Sequence, residues 1–329
     1  MKKILKYLKY ILYLLLILAL LLGGFIGYTL LNRNIEVSSS GTISNGFYRL
    51  IQPKRFLNRL LENPKRIDTP LTPSEKFSNT YRTQYKNLNG NELITANLEN
   101  PTDVHIIYLH GGAYILGKEG MTNREKIMGD LIDNTFGKVT FFDYPVAPES
   151  QYSETIEALN TAYQYLIETY PEDRFIFVGD SAGGGLALSY GQMISDEAIK
   201  QPEKYVLFSP WLDVSMSNAD IAPLEELDML LSKEDLLQSA IKYAGSENLK
   251  NPLISPLYGD FNGLGEILMF YGTHELLYAD AMKLEDLSDL NDYDITFNYY
   301  EEMQHVWILL PIEETNKAML ETYDFILSK

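Results

Sequence analysis

The chain has 329 residues, 46% hydrophobic and 22% charged, a globular balance that excludes disordered, collagen-like and low-complexity sequence. With no cysteine and four histidines, it excludes disulfides, thiolate metal sites, a cysteine nucleophile and a His-rich metal cluster, and nothing in it calls for a cofactor. The whole chain is −18 and residues 1–33 are +5, so the remainder is −23, a poor partner for nucleic acid.

Lys2, Lys3, Lys6 and Lys9 precede an uncharged apolar run, Ile11 to Leu31. Those 21 residues span about 31 Å as a helix, close to the hydrocarbon thickness of a bilayer. The expectation is one transmembrane signal-anchor over residues 1–33. Four lysines before the span and only Arg33 after it favour a cytoplasmic N-terminus. A cleaved secretory signal is the alternative, although no convincing A-x-A site follows. Either reading places the body of the chain outside the cytoplasm, as a single-pass membrane protein or as a secreted one.

Residues 34–329 read as one further domain. Residues 34–41 look like a short tether, and FYRLIQPKRFLNRLLENP has helical spacing before Pro64, Pro70 and Pro73. RTQYKNL and NELITANL flank Asn89-Gly90, a strong hairpin signal. VHIIYLH is a nearly continuous apolar strand, as buried parallel strands are. Strands KVTFFDY, RFIFVGD, KYVLFSP, EILMFYG and DITFNYY then alternate with helical SETIEALNTAYQYLIETY, AGGGLALSYGQMI, DAMKLEDLSDL and EETNKAMLETYDFIL. This predicts an α/β fold with a mainly parallel sheet covered by helices on both faces. Residues 211–263 lack a strand and read as a helical insertion, with Met229, Leu230 and Leu231 in a helix of it.

The central chemical signal is Gly179-Asp180-Ser181-Ala182-Gly183, a G-x-S-x-G between an apolar strand and a helix. A serine on so tight a turn stands clear of the sheet, and the helix behind it offers N–H groups to a developing oxyanion. Upstream, His110-Gly111-Gly112-Ala113 follows another strand, where the amides of Gly111 and Gly112 can join that of Ala182 around a tetrahedral intermediate. His110 reads as structural.

A serine nucleophile needs a base and an orienting carboxylate, which follow such an elbow in the order acid, then His. His105 lies inside a strand and His274 comes too early, which leaves His305 in the loop after the last strand. The acid is expected after strand ILMFYG, at Glu275. Asp280 is the alternative, at the start of the next helix, where an acid also serves as a cap.

The chain resembles the hormone-sensitive-lipase-like family of α/β-hydrolases, in its bacterial acetyl esterase and carboxylesterase branch. The similar stretches are LHGGAYILG, YPVAPE, GDSAGGGLAL, SPWLDVS, NPLISPLYGD, GTHELLYADA and MQHVW, in family order over roughly residues 80 to 329. The resemblance implies the α/β-hydrolase fold, a Ser181–His305–Glu275 triad and an oxyanion hole of Gly111, Gly112 and Ala182. It also implies a lid from about 43–80 and 211–263, and it puts Tyr114 and Trp211 in the substrate pocket. Two departures stand out. Ala113 replaces the third glycine of the usual HGGG, and Glu275 stands where aspartate is commoner. The implied reaction is hydrolysis of a short acyl ester, such as an acetyl group on a sugar or a cell-envelope component. A serine peptidase or amidase on the same fold, and a non-catalytic membrane-anchored binding protein, are the competing readings.

Overall fold

Successive side chains of a strand point to opposite faces, so a sheet covered on both sides needs apolar residues at every position. VHIIYL and RFIFV show the consequence. Ile107, Leu109, Phe175 and Phe177 enter one apolar cluster, while Val104, Ile106, Tyr108, Ile176 and Val178 enter another.

The computed structural model describes residues 2–64, 70–117, 121–195, 197 and 199–328, the side chains of 2–10, 12–17 and 121–123 excepted. Helices α1 (Lys2–Leu31), α2 (Ser39–Ile51), α3 (Lys54–Glu62) and α4 (Glu75–Thr80) precede strands β1 (Arg82–Leu88) and β2 (Asn91–Asn97). There follow β3 (Val104–Leu109), α5 (Met121–Thr135), β4 (Lys138–Asp143), α6 (Tyr152–Thr169), β5 (Arg174–Asp180) and α7 (Ala182–Ser195). The chain ends with β6 (Lys204–Phe208), α8 (Lys233–Ala244), β7 (Glu266–Gly272), α9 (Tyr278–Asn291), β8 (Ile295–Tyr300) and α10 (Glu313–Leu327).

The strands form one sheet in the order β1-β2-β4-β3-β5-β6-β7-β8. β1 and β2 pair antiparallel, β2 meets β4 antiparallel, and the remaining pairs are parallel. Asn89 and Gly90 close the first hairpin with φ of 55° and 97°, the left-handed pair that a two-residue turn requires. Helices α6, α7, α8 and α9 contribute to one apolar cluster, and α5 and α10 to the other. Because β3, β5, β6, β7 and β8 run parallel, the loops after them gather at one edge of the sheet, where ligands bind in open α/β folds.

Four expectations change. Helix α5 has no counterpart in the sequence reading, yet parallel β3 and β4 require a crossover, and Ile127, Met128, Leu131 and Ile132 supply its buried face. The stretch 34–41 is docked rather than a free tether. Val37 is buried, and Ser38 caps α2 while its N–H and hydroxyl donate to Glu314 at 2.7 and 2.9 Å. The insertion 211–263 contains one α-helix, α8, with short 3₁₀ turns at Ala219–Leu224 and Pro256–Tyr258, and its prolines limit further helix. Met229, Leu230 and Leu231 are not helical, because the Asp228 carboxylate takes the N–H groups of Leu230 and Leu231, both at 2.7 Å.

Among the described residues, no helix is long and apolar enough to cross a membrane. The expected span, Ile11 to Leu31, runs along α1, and the side chains of 12–17 within it lie outside the described residues.

Candidate active site

Ser181 sits between the end of β5 and the first residue of α7 with φ of 53°, in the left-handed region that a non-glycine residue adopts at a cost. The surrounding backbone holds it there. Its N–H donates to Phe208 O at 2.9 Å, and its carbonyl accepts from Trp211 N at 2.9 Å and Gly185 N at 3.1 Å. The turn is passable because of Gly183: a Cβ there would lie 2.0 Å from Leu109 O, so only glycine lets α7 start against β3.

His305 bridges Ser181 and Glu275. Its Nε2 lies 2.8 Å from Ser181 Oγ, and its Nδ1 lies 2.5 Å from Glu275 Oε2. Glu275 is fully buried. Its Oε1 accepts from Ser209 Oγ at 2.9 Å and from Gly272 N at 2.8 Å, which fixes the carboxylate plane. A carboxylate only accepts, so Nδ1 carries the proton and Nε2 is left to accept from the serine hydroxyl. Burial pulls the imidazole pKa down, but the hydrogen bond and charge of Glu275, with the charges of Asp228 and Asp180, outweigh it and raise it above 6.5. An imidazole poised in this way takes a proton readily near neutral pH.

The loop after β3 lies against the serine. A Cβ on Gly111 would stand 2.3 Å from Asp180 Oδ2 and 3.0 Å from Ser181 Cβ, so the backbone comes as near as glycine allows. The N–H groups of Gly111 and Gly112 donate to no described residue, and Ala182 opens α7, where helix amides are free. Two carbonyls of the loop, those of Gly111 and Gly117, accept from Arg124 at 2.9 Å each, and the His110 carbonyl accepts from Tyr144 OH. His110 stacks on Tyr144 with centroids 4.1 Å apart, and burial drives its pKa well below 6.5. Burial and the nearby Arg124 charge thus favour its neutral form, as suits a group packed in the loop. Ala113, in place of the third glycine, has φ of 54°, so it occupies a glycine-like conformation.

A family model described as the α/β-hydrolase fold matches residues 106–309, which include the serine elbow, the glycine loop, Glu275 and His305. The chain belongs to the α/β-hydrolase family. Its relatives place it in the hormone-sensitive-lipase-like branch. An esterase of Acinetobacter venetianus is 33% identical over 233 residues, 68% of this chain and 74% of that one. An acetyl-hydrolase of Streptomyces hygroscopicus is 34% identical over 203 residues, 61% of this chain and 67% of that one. Among solved structures, an esterase from the bacterial hormone-sensitive lipase family superposes with a TM-score of 0.70 at 27% identity, covering 83% of this chain and 89% of that one.

Other expected residues of this α/β-hydrolase fall as follows. Tyr114 and Trp211 are both buried and stacked at 5.8 Å, with Tyr243 flat on Tyr114 at 3.8 Å. Asp280 does not cap α9: it is buried, and its Oδ1 accepts from Asn218 Nδ2 at 3.0 Å while Oδ2 has no partner among the described residues. Burial pushes its carboxyl up to about 6. It makes no hydrogen bond with His305. His105 is buried between Asp173 and Thr140, and among the described residues no cluster of three His, Cys, Asp or Glu is arranged to hold a metal ion.

Five residues support the site that the sequence reading did not single out: Arg124 and Asp228 lie outside the stretches that carry the resemblance, and Tyr144, Ser209 and Gln304 lie in YPVAPE, SPWLDVS and MQHVW with no role assigned to them. Asp228 is buried, and its Oδ2 accepts from Leu276 N, next to Glu275, at 2.9 Å. Gln304, beside His305, accepts from Met229 N at 2.7 Å and donates to Leu227 O at 3.2 Å. On the far side of the same loop, Lys54 N donates to Met229 O at 3.1 Å, and its ammonium reaches the carbonyls of Glu225 and Asp228.

Proposed function

We propose that the chain is a serine carboxylesterase acting on short acyl esters through an acyl-enzyme on Ser181. The observation that carries this reading is the unbroken line Ser181 Oγ, His305, Glu275, at 2.8 and 2.5 Å, on a strand-to-helix turn. His305 takes the serine proton as Oγ attacks the ester carbonyl, and Glu275 stabilises the imidazolium. The amides of Gly111, Gly112 and Ala182 receive the oxyanion. His305 then protonates the leaving alcohol, and finally activates water to release the acid and free the serine.

Tyr114 and Trp211 are assigned to the wall of the acyl pocket, and the segments 43–80 and 211–263 to the lid. The name of the Acinetobacter esterase supports ester substrates, and that of the Streptomyces acetyl-hydrolase supports an acetyl group; the acceptor assigned to it is a sugar or a cell-envelope component. The lysine-flanked apolar run Ile11–Leu31 supports an anchor over residues 1–33, with domain 34–329 on the outer side of the cell membrane.

A fluorophosphonate probe tests the mechanism: the full chain should be labelled and Ser181→Ala should not. A panel of p-nitrophenyl esters from acetyl to palmitoyl, run beside peptide amides, tests the substrate class. Faster turnover of the longest esters or of the amides would overturn it.

A further inference from the structure

Helix α2 is built the wrong way round for a helix that meets only its own domain. Its buried residues are Gly41, Thr42, Asn45 and Gly46, small or polar, while Phe47, Leu50 and Ile51 face outward at 50%, 65% and 50% exposure. Phe56, at the start of α3, adds a fourth large apolar side chain at 66% exposure. A soluble surface scatters such residues singly, and a cluster of them marks a contact. Positions 47, 50 and 51 share one helix face, so the cluster is a surface rather than a sum of strays.

Two further observations say what covers it. The first is charge. Residues 33–59 hold five bases and one acid in a chain of net charge −18. Arg49, Arg55 and Arg59 are exposed and form no ion pair among the described residues. Arginines around an apolar face fit an anionic lipid surface, where the rings and aliphatic side chains enter the headgroup boundary and the guanidinium groups meet phosphate. The second is continuity. A Cβ on Gly46 would stand 2.7 Å from Thr29 Cγ2 and 3.2 Å from Phe25 Cζ, so α2 packs directly on the last turns of α1. Tyr28 and Leu31 in that part of α1, and Ile35 just after it, are exposed as well.

We infer that Phe47, Leu50, Ile51 and Phe56, with Arg49 and Arg55, form a docking face that lies on the surface of an anionic bilayer. This rests on the reading of residues 1–33 as a membrane anchor. Asn45 Nδ2 donates to Glu302 O at 2.9 Å, three residues from His305, so the docked face lies beside the loop that carries the base. Docking therefore holds that side of the domain against the membrane instead of letting the domain tumble on its anchor.

The natural absence of cysteine makes the test clean, because Phe47→Cys and Phe56→Cys each introduce a single thiol for an environment-sensitive fluorophore. Leu290→Cys is the control, an exposed position at the end of α9, which leads into the start of β8 whereas Glu302 follows its end. The full chain is reconstituted in phosphatidylcholine vesicles with or without phosphatidylglycerol and doxyl-labelled lipid. Probes at 47 and 56 should shift to the blue and be quenched by doxyl-lipid, most strongly with phosphatidylglycerol, while the probe at 290 stays open to iodide. Neutralising Arg49 and Arg55 with glutamine should weaken docking about fivefold for each charge removed. Probes at 47 and 56 as open to iodide as the control would overturn the inference. So would shielding that grows with protein concentration without doxyl quenching, which signals a second copy of the chain. Flotation after a carbonate wash reads the anchor separately. A chain that floats with open probes refutes docking alone, and one that washes off refutes the anchor and the docking built on it.

Discussion

Asp280→Asn should leave catalysis intact and change how stability depends on pH. Each tenfold change in a proton equilibrium is about 1.4 kcal/mol, so raising this carboxyl from 3.8 to about 6 makes its ionisation inside the fold cost about 3 kcal/mol. A carboxyl raised by burial binds its proton more tightly in the folded state. Its contribution is therefore greatest below about pH 3.8 and is lost as pH rises through about 6. Between pH 5 and pH 8 the wild type should lose about 1.4 kcal/mol that the variant, with nothing to ionise, retains. The amide also places an N–H₂ where Oδ2 had no partner, and that offset is independent of pH. The discriminating quantity is thus the difference between the two pH dependences, read from urea unfolding across this range. Parallel stability curves for the two proteins would refute the reasoning, and a large loss of turnover on a short ester would return Asp280 to the list of catalytic candidates.

Glu275→Gln keeps the shape of the acid but removes its charge, and should lower kcat by about 10⁴ on a short ester; retention of most activity would exclude Glu275 as the orienting carboxylate. The acid limb of kcat/KM should report an ionisation above 6.5, because His305 must be neutral to accept the serine proton. Asp228→Asn should move that limb to lower pH, since one of the charges holding the imidazolium is gone, and an unmoved limb would remove Asp228 from the electrostatics of the base. Gly111→Ala pushes a methyl group into Asp180 and Ser181, and should cost about 10²–10³ in kcat, as loss of an oxyanion donor does. Near-normal kcat in that variant would argue against the loop as the oxyanion site.

The parts of the site that depend on local backbone geometry were legible in the sequence. A serine flanked by small residues between an apolar strand and a helix has few other uses, and the Gly111-Gly112 pair after a neighbouring strand has the same local logic. What acts through space was not. Arg124 and Tyr144 hold the glycine loop from an adjoining helix and strand end, and no spacing rule relates them to it. Asp280 was misread for the same reason: an acid in the first turn of a helix looks like a cap, but here its partner is Asn218, more than sixty residues earlier. At Met229–Leu231 the apolar sequence suggested a helix, and a single buried carboxylate at Asp228 turned the backbone elsewhere. The sheet was easier to read because its strands are buried on both faces, whereas α5, after Met121, showed only Ile127, Met128, Leu131 and Ile132 around Gly129.

The loop 225–231 touches α3 through Lys54 on one side and the neighbours of Glu275 and His305, Leu276 and Gln304, on the other. Hydrogen bonds through Lys54, Met229 and Asp228 thus form a continuous path from α3 to the residues beside Glu275 and His305. A ligand whose affinity differed between two positions of α3 would, through this path, bias the geometry of Glu275, and linkage would make the effect mutual. An acyl group seated on Ser181 would in turn alter how strongly the N-terminal helices hold whatever they rest against. Occupancy of the site and attachment of the helices would then be two readings of one equilibrium.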